Sequence, residues 1–175
     1  RDATTSTRSC RWRVHRTALS RATALRLDPK LHLAVTLTAK LQDKNPLVIA
    51  LLPDSAFLLG ALMQRTVFAQ QVLFAEMLDS GLRSVGTWPS LQRRTVVLLD
   101  GARSGAIDYQ RISAALARQA AGTTWLCRLI ETSAEVPPKE FDESLSVIVC
   151  DESDVFGCGL DVLGYCRNLP SLPSM

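Results

Sequence analysis

Residues 96-VVLLDGARSG-105 run four apolar side chains into an Asp, a Gly and a turn of small residues. With Thr95 before them, these apolar residues are too few for a helix and read as a buried strand, residues 95–99. The Asp-Gly-Ala-Arg-Ser-Gly that follows reads as a loop whose backbone N–H groups and Ser104 hydroxyl can face a phosphate. Downstream, 107-IDYQRISAALARQAA-121 sets Ile107, Ile112, Leu116 and Ala120 on one face of a predicted helix, with Gly122 as its stop. The unit is strand, loop, helix, and it opens with a single carboxylate, Asp100.

The flanking chain repeats the alternation. Residues 30–43 predict a helix stopped by Lys44-Asn45-Pro46. The run 47-LVIALL-52 predicts a central strand, and Asp54 or Ser55 an N-cap for a helix reaching about Gln70. Residues 72–78 read as a weaker strand, and 79–94, with Gly81, Gly86 and Pro89, as loop. Strands are expected again at 123–130 and 145–150, separated by a charged Pro137-Pro138 loop, and the Pro-rich tail leaves no room for a further element. Apolar strands alternating with helices predict an α/β fold, an open parallel sheet flanked by helices. In such sheets ligands bind at the carboxyl ends of the strands, here 53-PDSA-56, 100-DGARSG-105 and 151-DESDVFG-157.

The 175 residues suffice for one domain with a real core, and 47% apolar content excludes a disordered chain. The net charge of +3 is unevenly spread: residues 1–26 hold seven arginines against one acid, Asp2, leaving 13 basic and 16 acidic residues in the remainder. The division expected is a basic N-terminal extension, residues 1–26, on a mildly acidic domain, residues 27–175. An arm so charged, with Arg8, Arg11, Arg13 and Arg16 at its centre, suits a polyanion or an acidic partner surface. Its richness in Arg, Ser and Thr is that of a mitochondrial address, expected here either as an extension retained against partners or as sequence following an earlier cleavage. The longest apolar run, 47–63, is interrupted by Pro53, Asp54 and Ser55, so no transmembrane segment is expected. The five cysteines show no metal-ligand spacing and read as buried free thiols.

The content and order of these pieces over residues 30–170 resemble the purine phosphoribosyltransferases of the hypoxanthine-guanine type. The resemblance is carried by 96-VVLLDGARSGAIDYQRISAAL-116, similar to that family's ribose-phosphate loop and helix, and by 156-FGCGLDVLGYCRNL-169. In the second, Gly157, Leu160, Asp161, Tyr165, Arg167 and Leu169 fall on the family's C-terminal signature. The resemblance implies that Asp100, Ser104 and Gly105 mark the ribose-phosphate site. It implies that Asp161 is a magnesium-associated position and that Arg167 is a pyrophosphate contact.

Departures from the family pattern are numerous. Gly101 stands where the family has a second carboxylate, and the acid used as general base is missing. Leu52-Pro53-Asp54 replaces a loop close to Lys-Gly-Gly; a bare Asp54 there opposes pyrophosphate by several kcal/mol at an effective dielectric of about 20. Ile130, beside Glu131, replaces the base-reading Lys, and Asp154 falls near the stacking aromatic. The segment 79–94 lacks the Ser-Tyr pair of the family's mobile loop, and the family's last strand is absent. These departures lead to the expectation of a chain without catalysis, cofactor or metal. They point to a structural subunit of a mitochondrial ribosome or of a respiratory-chain or ATP-synthase complex, with other protein subunits and rRNA as partners. The alternatives are a divergent active purine phosphoribosyltransferase and a phosphate- or nucleotide-sensing module.

Overall fold

The computed structural model describes residues 29–101, 107–132, 138–150 and 155–170. Among these residues three helices and six strands follow in the order α1 (Pro29–Leu41), β1 (Leu47–Leu51), α2 (Ala56–Met63), β2 (Gln71–Leu78), β3 (Gly81–Val85), β4 (Val96–Asp100), α3 (Tyr109–Arg118), β5 (Thr124–Glu131) and β6 (Glu143–Val149). The strands form one sheet, ordered β3-β2-β1-β4-β5-β6. All neighbours are parallel except β2 and β3.

The two sheet faces separate by the alternation of side chains along each strand. Val48, Ala50, Val97, Leu99, Trp125, Cys127 and Leu129 pack with Leu33, Leu37 and Leu41 of α1 and Leu58, Leu59 and Leu62 of α2. Their neighbours Leu47, Ile49, Leu51, Val96, Leu98 and Leu126 pack on the other face with Ile112 and Leu116 of α3. Every residue of β1 and β4 is buried, which is why those strands read as unbroken apolar runs.

The sequence-derived boundaries hold for α1 and for the five parallel strands, and depart elsewhere for local reasons. The segment expected as loop at 79–94 contains β3. Leu78 pairs with Gly81, so Asp79 and Ser80 make a two-residue hairpin turn, with φ of +121° at Gly81. Cross-strand Arg83 and Glu76 pair at 2.5 Å, and Arg111 of α3 donates to the Asp79 carbonyl. α2 stops at Met63 rather than near Gln70: the Leu62 carbonyl accepts from both the backbone N–H and the hydroxyl of Thr66, and Val67 projects outward with nothing to bury against. Gly122 does not stop α3. The chain turns at Ala120, φ +55°, while Gly122 lies so close to Arg93 that a Cβ would sit 2.7 Å from its carbonyl oxygen. Of the described cysteines, Cys127 and Cys166 are free thiols and Cys150 is disulfide-bonded, a departure from the expected set of free thiols.

Candidate active site

The chain leaves β1 through α2 to β2 on one side, and leaves β4 through α3 to β5 on the other. β1 and β4 are adjacent at the centre of the sheet, so the direction of winding reverses between them. In a parallel α/β sheet, the crevice beyond the carboxyl ends of two such strands is where ligands bind. Here it is bounded by residues 52–55 after β1 and by Asp100 and Gly101 at the end of β4.

Asp100 is the last residue of β4 and is 1% exposed. A buried carboxylate requires donors. Tyr109, in the first turn of α3, donates its hydroxyl to Asp100 Oδ2 at 2.5 Å. The Tyr109 ring is itself held edge-on against Phe141, with centroids 6.0 Å apart and planes at 87°. α3 is capped by Asp108, whose side chain accepts from the Arg111 N–H at 3.1 Å, so the cap that precedes the helix also sets where Tyr109 stands.

The loop after β1 is built on backbone contact. A Cβ on Gly101 would lie 2.0 Å from the Asp54 carbonyl oxygen and 2.7 Å from the Ser55 nitrogen. A Cβ on Gly159, φ +104°, would lie 2.6 Å from the same oxygen. The loop is thus gripped between the end of β4 and the C-terminal segment. Gly101 is required by that packing; it is not simply an acid lost from the family pattern. Ser55, fully buried, sits at the N-cap position of α2 without capping it: its hydroxyl donates to the Leu51 carbonyl at 2.6 Å. Asp54 turns instead to Arg167.

Arg167 gathers three acceptors. Its guanidinium donates to Asp54 Oδ1, to the Gly159 carbonyl at 2.6 Å and to Asp161 Oδ1 at 2.7 Å. Asp161 also accepts from the Gly164 N–H through Oδ2, at 2.5 Å. The expected bare charge of Asp54 is therefore compensated by a cation. Both Asp161 oxygens accept hydrogen bonds inside this segment, so the carboxylate holds Arg167 and the chain around it. Among the described residues no group of three or more His, Cys, Asp or Glu is arranged to hold a metal ion.

Sequence reasoning missed a second polar group, at the ends of β5 and β6. Arg128, 2% exposed, lies in register between Asp100 of β4 and Ser146 of β6. Its Nη2 is 3.1 Å from Glu131 Oε1, and Glu131 Oε2 accepts from the Ser146 hydroxyl at 2.5 Å. An ion pair this deep is stable only when both partners stay. Within the strand 123–130 a lone Arg gave no sign of facing inward. Of the residues singled out from sequence, the structure brings Asp161 and Arg167 into contact and sets Asp100 across the crevice from the loop they grip. Ser104 and Gly105 lie outside the described residues, as do Arg8, Arg11, Arg13 and Arg16.

No family profile matches the chain, and no curated protein does. Solved structures match over most of their length. A hypoxanthine phosphoribosyltransferase from Staphylococcus aureus superposes with a TM-score of 0.67 at 18% identity, covering 84% of each chain. A hypoxanthine-guanine phosphoribosyltransferase from Bacillus anthracis gives 0.70 at 14% identity, over 93% of this chain and 99% of its own. The hypoxanthine phosphoribosyltransferase of Trypanosoma cruzi gives 0.69 at 14% identity, over 83% and 89%. The chain has the fold of the purine phosphoribosyltransferases. These matches overturn the expectation of a chain without catalysis. The neighbours are enzymes and superpose at this level, and two departures counted toward loss have structural explanations, in the packing of Gly101 and the pairing of Asp54 with Arg167.

Proposed function

We propose that the protein is a divergent purine phosphoribosyltransferase, joining a purine base to the ribose of phosphoribosyl pyrophosphate with release of pyrophosphate. The observation that carries the reading is Asp100: a buried carboxylate oriented by Tyr109 at the carboxyl end of a central strand, beside the point where the winding of the sheet reverses. By the resemblance to the ribose-phosphate loop, that position would face the ribose, and a fixed carboxylate there can accept from ribose hydroxyls without reorganising. Arg167 supplies positive charge beside the loop after β1, where pyrophosphate would lie, and any magnesium would arrive as part of the substrate. The base pocket would be distinctive. Ile130 offers no donor, so discrimination among bases would fall to the strand ends around the Arg128–Glu131 pair.

The test is to incubate the purified full chain with phosphoribosyl pyrophosphate, magnesium and each of hypoxanthine, guanine, xanthine and adenine, and to separate the nucleotides formed. Formation of one purine nucleotide in preference to the others supports the reading. The absence of any nucleotide across the panel overturns it.

The N-terminal arm is part of the same proposal. Seven arginines against one acid in residues 1–26 support a mitochondrial address or a contact with a polyanion, such as rRNA, or an acidic protein surface. Fusing residues 1–26 to a fluorescent reporter tests the address: retention in the cytosol would remove it.

A further inference from the structure

We infer that Asp54 is an internal competitor for the anion site at Arg167, so that the loop after β1 holds the site shut until a phosphate-bearing ligand displaces it. The inference rests on the proposed function for the identity of the ligand, and on geometry for the rest. Arg167 is 33% exposed, and its planar fork matches either a carboxylate or a phosphate. Within the C-terminal segment Nη2 donates to Asp161 and Nη1 to the Gly159 carbonyl, and Nη1 is shared with Asp54. The remaining partner, Asp54, comes from a different part of the chain, 113 residues away.

Asp54 reaches Arg167 from a loop whose backbone is gripped by Gly101 and Gly159. Arg167 and Asp161 alone would be neutral as a pair; adding Asp54 makes the group net negative. An incoming pyrophosphate therefore meets repulsion while Asp54 is in place and a released Nη1 donor once it leaves. A multiply charged phosphate attracts the guanidinium more strongly than a single carboxylate at the same distance. The apparent affinity is reduced by the fraction of molecules in which Asp54 has already let go.

Asp54→Asn keeps the shape and an accepting oxygen while removing the charge, and Asp54→Ser removes the reach as well. Calorimetric titration of the full chain with inorganic pyrophosphate should show both variants binding at least about tenfold more tightly than the unmodified protein, as expected if the open state is about a tenth of the population or less. The gain should vanish in the double variant Asp54→Asn, Arg167→Gln. Should one variant fail to fold, the other carries the comparison. Equal or weaker binding by the folded variants, or a gain that persists without Arg167, overturns the inference. Because pyrophosphate binding is read without turnover, a chain that makes no nucleotide but shows the gain loses the proposed activity and keeps the competitor. A chain that makes nucleotide without the gain does the reverse.

Discussion

Arg167 and Asp54 join the C-terminal segment to the loop after β1, 113 residues apart in sequence, and the same guanidinium holds Asp161 and the Gly159 carbonyl. Two pieces of the candidate site, the loop after β1 and the C-terminal segment, meet at this side chain. Replacing it with Ala leaves two carboxylates facing each other without their cation. At one-third exposure, solvent relieves part of the cost, so Arg167→Ala is expected to lose about 1–2 kcal/mol. Urea unfolding followed by circular dichroism measures it, and an unchanged midpoint would mean the contact is decorative.

Gly101→Ala should be worse than its single methyl suggests. The added Cβ would be placed 2.0 Å from a backbone oxygen, which cannot rotate away as a side-chain tip would. Loop or strand must shift, at a cost of about 2 kcal/mol or more. Gly101→Asp, which restores the family's second acid on paper, meets the same obstacle and should not raise activity. A Gly101→Ala protein as stable as the parent would show that the loop is not gripped.

Most of the sheet was legible from sequence because its strands are buried on both faces, and runs such as 47–52 and 96–99 carry that burial openly. β3 was not legible. It is an edge strand whose exposed Arg83 and Val85 look like loop residues, and only its pairing with β2 makes it a strand. In the site, Asp100, Asp161 and Arg167 were legible through their resemblance to family motifs. The roles of Asp54 and Gly101 were not, because they depend on a contact between residues far apart in the chain. A substitution that looks like a loss in a linear comparison can be a packing requirement in the folded molecule.

Tyr109→Phe removes the hydroxyl that donates to buried Asp100 while keeping the ring against Phe141. The expected loss is about 1–2 kcal/mol of stability, from weakening the solvation of a carboxylate that water does not reach. Thermal or urea unfolding of the two proteins side by side decides it. No loss would place the orientation of Asp100 elsewhere.

Burial pushes the Cys127 thiol up from 9.0 to about 12. The folded chain keeps this thiol protonated where the unfolded chain would ionise it. Its contribution to stability is therefore whole below about pH 9 and is lost as pH rises from there through about 12. In native protein at pH 8, a thiol reagent should label Cys166 readily and leave Cys127 untouched until denaturant is added, as peptide mapping would show. Labelling of Cys127 at the same rate as Cys166 would contradict the burial of β5.

Asp100→Asn tests the central assignment most directly. The substitution keeps the size of the side chain and an oxygen for Tyr109 while removing the charge proposed to hold the ribose. In the nucleotide-forming assay, compared at equal folded concentration and with the best base of the panel, the parent should form product and the variant should fall by about 10²-fold or more. Product formation by the variant at the rate of the parent, or none by either protein, would contradict the account.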